Sequence, residues 1–144
     1  QYNQKLFTIL PLQTGNMSST DNYTTFCKAW LDSWTGNKPE ELLKFYHTYA
    51  SYADPAKRGG IKGHTQLLPY FKKLLQLNPA WKWEAIEIIP TTNGFTLKWK
   101  ATIPVPGGTI EETGLDIVEL ENGLITRNEV FFDRLNWIQA LQTN

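Results

Sequence analysis

The sequence predicts an α+β fold in which N-terminal helices pack on one face of a strongly curved, mainly antiparallel sheet. Three observations predict it. Apolar residues recur at three-and-four spacing in the first half, long strand-like runs fill the second half, and those runs are joined by Asn-Gly and Gly-Gly turns. The chain of 144 residues is 41% apolar and 13% aromatic, which supplies one bulky core and is too short for two full domains.

The elements follow in order. After Asp21, a plausible N-cap, Tyr23, Phe26, Cys27, Trp30, Leu31 and Trp34 form one helical face that Gly36 can stop. Pro39 suits the first turn of a second helix, where its missing N–H costs least, with Leu42, Leu43, Phe45 and Tyr46 as its apolar residues. Tyr49 to Ala53 reads as a short strand ended by Asp54-Pro55, and the stretch to Gly63, with Lys57, Arg58 and Lys62, has loop composition. Thr65 is the expected cap of a third helix buried through Leu67, Leu68, Phe71, Leu74 and Leu75, which Pro79 leaves. The runs 81–89, 95–103, 109–120 and 124–132 are then separated by turns at 92–94, 106–108 and 121–123, a pattern of consecutive hairpins. Asp133 caps a final short helix carrying Leu135, Trp137, Ile138 and Leu141.

Organised patterning begins just after Met17, the only methionine, so residues 1–16 read as an N-terminal extension or leader and 17–144 as a single domain. Lys plus Arg and Asp plus Glu both total 14, which gives no electrostatic footprint for non-specific nucleic-acid binding. No apolar run approaches the roughly 20 residues of a membrane-spanning helix. A cytoplasmic protein without nucleic-acid or membrane partners is therefore expected. The lone Cys27 cannot form an intramolecular disulfide, and the two histidines, His47 and His64, stand 17 residues apart with no second cluster of ligands, so neither a metal nor another cofactor is expected.

Three segments carry a family resemblance: Phe45 to Pro55, Ile61-Lys-Gly63 leading into a helix, and Gly114 to Ile125. In this order and spacing the chain from Asp21 to about Leu141 resembles the nuclear transport factor 2-like superfamily, the cone-shaped fold of ketosteroid isomerases, limonene epoxide hydrolases and SnoaL-like polyketide cyclases. The resemblance implies a cone-shaped domain with one apolar pocket between helices and sheet, and frequent dimerisation. It places Asp54 on the isomerases' general base and Asp116 on the carboxylic acid that donates to the oxyanion. Trp30 stands where those enzymes carry a donor tyrosine, and its indole N–H can donate but cannot exchange a proton at neutral pH. The isomerase register makes Asn128, Val130 and Phe132 pocket lining. The epoxide hydrolases' Arg-x-Asp pair is missing, because Leu97-Lys-Trp-Lys100 contains no acid.

Each candidate also has a plain structural reading. Asp before Pro commonly ends a strand by capping local N–H groups, Asp116 can lie on a solvated sheet face, and Trp30 fits a helical core stripe. Tyr46 and Tyr52 either pack or point hydroxyls into the cavity. Trp81, Trp83 and Trp99 are core, sheet interface or pocket wall. Strand alternation puts Asn128, Val130 and Phe132 on one face and Arg127, Glu129, Phe131 and Asp133 on the other. His47 reads as a surface residue at a helix end and His64 as a turn residue. The expected function is a cofactor-independent acid–base enzyme of isomerase, cyclase or lyase type, with Asp54 as base and Asp116 as donor, acting on a small apolar carbonyl-type compound. The alternative is a non-catalytic ligand-binding or protein-interaction module. A homodimer through an aromatic-bearing sheet face is also expected, because three tryptophans fall within two neighbouring strands.

Overall fold

The structure, a computed structural model, describes residues 19–142, so the expected leader of residues 1–16 lies outside the described residues. Among the described residues, four helices and six strands follow one another as α1 (Ser19–Asp32), α2 (Pro39–Leu43), β1 (Tyr46–Asp54), β2 (Lys57–Lys62), α3 (His64–Leu77), β3 (Lys82–Pro90), β4 (Gly94–Val105), β5 (Gly108–Glu121), β6 (Leu124–Phe131) and α4 (Leu135–Gln142). The six strands form one sheet in the order β2-β1-β6-β5-β4-β3. All neighbours are antiparallel except β1 and β6, which run parallel. The α+β fold expected from the sequence is present, with α1, α3 and α4 packed against the sheet.

The meander of β3 to β6 follows from its turns. Asn122 and Gly123 both adopt positive φ, 52° and 79°, which is the backbone that a two-residue hairpin needs to match strand twist. Alternation then sorts the side chains. Phe95, Leu97, Trp99, Ala101 and Ile103 of β4 are all buried, and so are Asp116 and Val118 of β5 and Asn128 of β6. From α1 the core receives Cys27, Trp30 and Leu31, and from α3 it receives Leu67, Phe71 and Leu75. Phe26, Leu43, Val130 and Phe132 are packed against that core and partly buried.

Several boundaries differ from the sequence reading. The first helix begins at Ser19, so Asp21 lies in its first turn, where a carboxylate suits the positive end of the helix. The second helix ends at Leu43, and Tyr46 opens β1, because Phe45 and Tyr46 are drawn into pairing with β6: the Ile125 N–H donates to the Phe45 carbonyl. His47 accordingly sits in β1, not at a helix end, with its ring 3.7 Å from that of Tyr49. The expected loop at 57–62 is strand β2, an edge strand whose exposed cations keep it solvated and whose pairing with β1 overrides its glycine-rich composition. Gly63, at φ 80°, occupies the cap position of α3, with Thr65 one residue inside the helix. Phe132 falls just past β6.

The tryptophans also correct the dimer argument. Trp83 of β3 pairs with inward Ala101, and Trp99 of β4 is buried, so these rings face the helices and leave the outer sheet face without them. Gly114 makes room for one of them. It pairs with Trp99 across the strands, and a Cβ there would collide with the Trp99 ring and lie 2.8 Å from the Phe131 carbonyl. Replacing Gly114 with Ala should cost about 1–3 kcal/mol by overpacking and shift tryptophan emission. Urea unfolding followed by fluorescence checks this, and unchanged stability would show that the ring does not rest on the bare backbone.

Candidate active site

Asp116 sits in the middle of β5 and is only 5% exposed. Its two carboxylate oxygens accept from different neighbours: Oδ1 from Trp99 Nε1 at 2.7 Å, and Oδ2 from Asn128 Nδ2 at 2.9 Å. Asn128 Oδ1 in turn accepts from the Tyr46 hydroxyl at 2.8 Å, and the Tyr46 oxygen accepts from Trp30 Nε1 at 3.3 Å. An indole nitrogen can only donate, so Trp30 sets the direction of the whole chain. Tyr46 must donate onward, Asn128 must present its amide N–H to Asp116, and every proton in the relay points at the carboxylate.

Burial pushes the Asp116 carboxyl up to about 6. The hydrogen bonds from Asn128 and Trp99 pull in the opposite direction, and the charge of Asp54 adds a smaller upward push. Each carboxylate oxygen thus receives one protein donor, and the carboxyl itself lines the cavity described below.

Asp54 closes β1 and is held differently. Its Oδ1 accepts the backbone N–H groups of Ala56 and Lys57, both at 2.8 Å, which is the cap that an Asp-Pro turn offers. Its Oδ2 accepts the Tyr52 hydroxyl at 2.8 Å and the Tyr70 hydroxyl at 2.7 Å. Desolvation comes first in raising Tyr52 and Tyr70 above ordinary phenols, and the adjacent Asp54 adds to it.

Asp54 and Asp116 line one cavity of about 130 Å³ between α1, α3, α4 and the sheet. Of the residues expected at the pocket, Tyr52, Trp99, Val130 and Phe132 line it. Trp30, Tyr46 and Asn128 stand behind Asp116 as the hydrogen-bond relay and are not among the lining residues. Sequence reasoning missed Tyr70 and Arg134, both of which line the cavity. Tyr70 flanks the buried stripe of α3 beside Phe71, and Arg134 follows a capping Asp, so neither stood out by spacing. The Arg134 guanidinium is near enough to Tyr70 to oppose the upward shift of its hydroxyl. Five of the chain's six tryptophans, Trp34, Trp81, Trp83, Trp99 and Trp137, also line this space. The Trp83 indole N–H is buried with no partner among the described residues.

The remaining candidates have structural places. His64 Nε2 lies 2.8 Å from the Tyr46 carbonyl, tying the start of α3 to β1. Arg127 pairs with Glu119 at 2.6 Å and Glu129 at 3.0 Å on the opposite sheet face from Asn128. Burial, and then the charge of Asp116, pushes the Cys27 thiol up to about 12. Among the described residues, no helix is long and apolar enough to cross a membrane, and no three His, Cys, Asp or Glu side chains are grouped to hold a metal.

Helices packed on one curved, mostly antiparallel six-stranded sheet give the nuclear transport factor 2-like fold. Within that class the chain belongs to the SnoaL-like domain family, which matches residues 27–128. Among solved structures it is similar to TerC crystallised with polyporic acid, at 14% identity and a TM-score of 0.69, with 83% of this chain and 98% of that one covered. It is also similar to a SnoaL-like polyketide cyclase assignment from a Jannaschia species, at 11% identity and a TM-score of 0.70, covering 84% and 92%. A nuclear transport factor 2-like protein of unknown function from Burkholderia pseudomallei matches at 13% identity and a TM-score of 0.69, covering 88% and 100%. No curated protein matches the sequence.

The raised Asp116 carboxyl has a stability signature. Its folded-state pKa lies above the ordinary 3.8, so the native protein retains a proton that the unfolded chain releases. The cost of ionising Asp116 is absent below about pH 4, grows as pH rises through 6, and is fully present above that, amounting to about 3 kcal/mol. Asp116→Asn should remove this slope. Urea unfolding of both proteins across a pH series should show their stability difference changing by about that amount, and parallel pH profiles would refute the shift.

Proposed function

We propose that the protein is a cofactor-independent acid–base enzyme of isomerase, cyclase or lyase type acting on a small carbonyl compound held in this cavity. The observation that carries this reading is the place of Asp116: a buried carboxylate held by Trp99 and Asn128 lines the cavity among apolar walls. A carboxyl near 6 is ionised in most molecules at neutral pH and basic enough to take a proton from carbon next to a carbonyl. That proton then sits on Asp116 facing the ligand, ready to return to a different carbon. Negative charge moves meanwhile to the carbonyl oxygen. Arg134 is the cavity's cation and is the group available to meet that charge.

This assignment gives Asp116 the base role that the family resemblance implies for Asp54. Asp54 already receives four donors, which tie both of its oxygens to the protein, so in the proposal it positions Tyr52 and Tyr70. The same four hydrogen bonds favour the competing reading, a binding module in which Asp54 is purely structural. A test uses a panel of small ketones and β,γ-unsaturated ketones, with proton exchange into deuterium oxide followed by NMR. Catalysed exchange should fall at least about 100-fold in Asp116→Asn, while Asp54→Asn chiefly lowers the unfolding temperature. Exchange that is absent, or indifferent to Asp116, would favour the binding module.

The proposal includes a cytoplasmic location, in keeping with an unpaired, buried Cys27. It also includes a homodimer, now through the outer face of β5 and β6. There Leu115 and Phe131 are cross-strand partners, 43% and 54% exposed, beside the Arg127 ion pairs. Sedimentation should show a dimer that Phe131→Lys dissociates, and a monomer at high protein concentration would refute this interface.

A further inference from the structure

We infer that the cavity takes a methylated ammonium group, enclosed by tryptophan faces and countered by the Asp54 and Asp116 carboxylates. The inference names the ligand class of the site proposed above and rests on that cavity being the ligand site, but it does not depend on turnover there.

The wall is a continuous belt of rings. Trp137 meets Trp81 at 5.1 Å between centroids and 89° between planes, and Trp83 meets Trp99 at 4.9 Å and 82°. Trp81 and Trp83, 5.5 Å apart, join the two pairs, and Phe132 extends the belt from Trp99 at 5.5 Å and 69°. Rings that meet near right angles make the corners of a box. A flat aromatic ligand needs two parallel faces to slide between, whereas a box fits a rounded group with methyls on every side.

Charge selects among rounded groups. Tryptophan has the ring face most attractive to a cation, and enclosure by several such faces is how proteins hold quaternary ammonium ions. A purely hydrocarbon ligand would not call for two carboxylates in the wall, one of which, Asp116, is buried at a cost in free energy. Arg134 is the opposing charge. It is half-buried, so with both carboxylates ionised the cavity lining still carries one net negative charge. Its position beside Tyr70 suits an oxygen-bearing tail on the same ligand, in line with the carbonyl chemistry proposed for the site.

The experiment measures binding to the whole chain near neutral pH by calorimetry and tryptophan fluorescence. Its probes are choline, choline's neutral isostere with a quaternary carbon in place of nitrogen, and benzoate. Choline should bind about tenfold more tightly than the isostere, and benzoate more weakly than choline. Trp137→Leu changes only a half-buried ring on the last helix, so the fold should persist. This variant should lose about tenfold in choline affinity and little for the isostere. Asp116→Asn should likewise weaken choline selectively. Equal binding of choline and isostere, or tighter binding of benzoate, would overturn the inference while leaving the acid–base reading standing. Binding of none of the three would overturn the inference, and catalysed proton exchange on the ketone panel would then decide the acid–base reading separately.

Discussion

Burying an aspartate in the middle of a sheet costs several kcal/mol unless its carboxylate is hydrogen-bonded, and the inner face of this domain is arranged around that cost. Trp99 on β4 and Asn128 on β6, the two strands flanking β5, each give one donor to Asp116. The support extends outward, because Asn128 is oriented by Tyr46 and Tyr46 by Trp30 of α1. Helix, first strand, last strand and the centre of the meander are therefore joined through one polar chain inside an apolar core. Such a chain is stable only when every member is satisfied, which explains why Trp30 and Tyr46 are among the most deeply buried large side chains.

The aromatic wall obeys a second constraint, the parity of the strands. Alternation sends Trp83 and Trp99 inward along with Asp116, so carboxylate and rings share one enclosure. Gly114 permits this crowding by presenting bare backbone opposite Trp99, and the indole can then reach its hydrogen bond with Asp116 without displacing β6. Packing and electrostatics are coupled at this point: anything that tilts the Trp99 ring also removes a donor from the carboxylate. The opposite face carries Arg127, Glu119 and Glu129 instead, half-exposed ions whose pairing is screened by water and adds little stability.

Much of this was legible from residue order. The helical stripes of α1 and α3, the hairpins, and the inward set Asn128, Val130 and Phe132 follow from periods that physics makes hard to mistake. Strand β2 was not legible, because Lys57 to Lys62 has no apolar alternation and becomes a strand only by pairing with β1. The site was legible in part. Asp116 stood out as an acid among strand formers, but its supporting chain joins residues as far apart as 30 and 128, and no local pattern records such a contact. Tyr70 and Arg134 reach the cavity from the flanks of α3 and α4, positions that sequence spacing assigns to solvent.

The two cavity aspartates show why environment, and not residue type, assigns a role. Asp54 is fixed by two backbone N–H groups and two phenols, and its position at a strand end leaves it partly exposed. Asp116 has only two donors and almost no access to water, and there desolvation outweighs the hydrogen bonds. The charge of Asp54 also contributes to raising Asp116. A cation entering between them would relieve both the desolvation of Asp116 and the repulsion from Asp54, which ties ligand charge to the protonation of the buried acid. The tryptophan belt lets such an ion leave water without losing all of its electrostatic stabilisation, so the apolar wall and the acidic floor serve the same end.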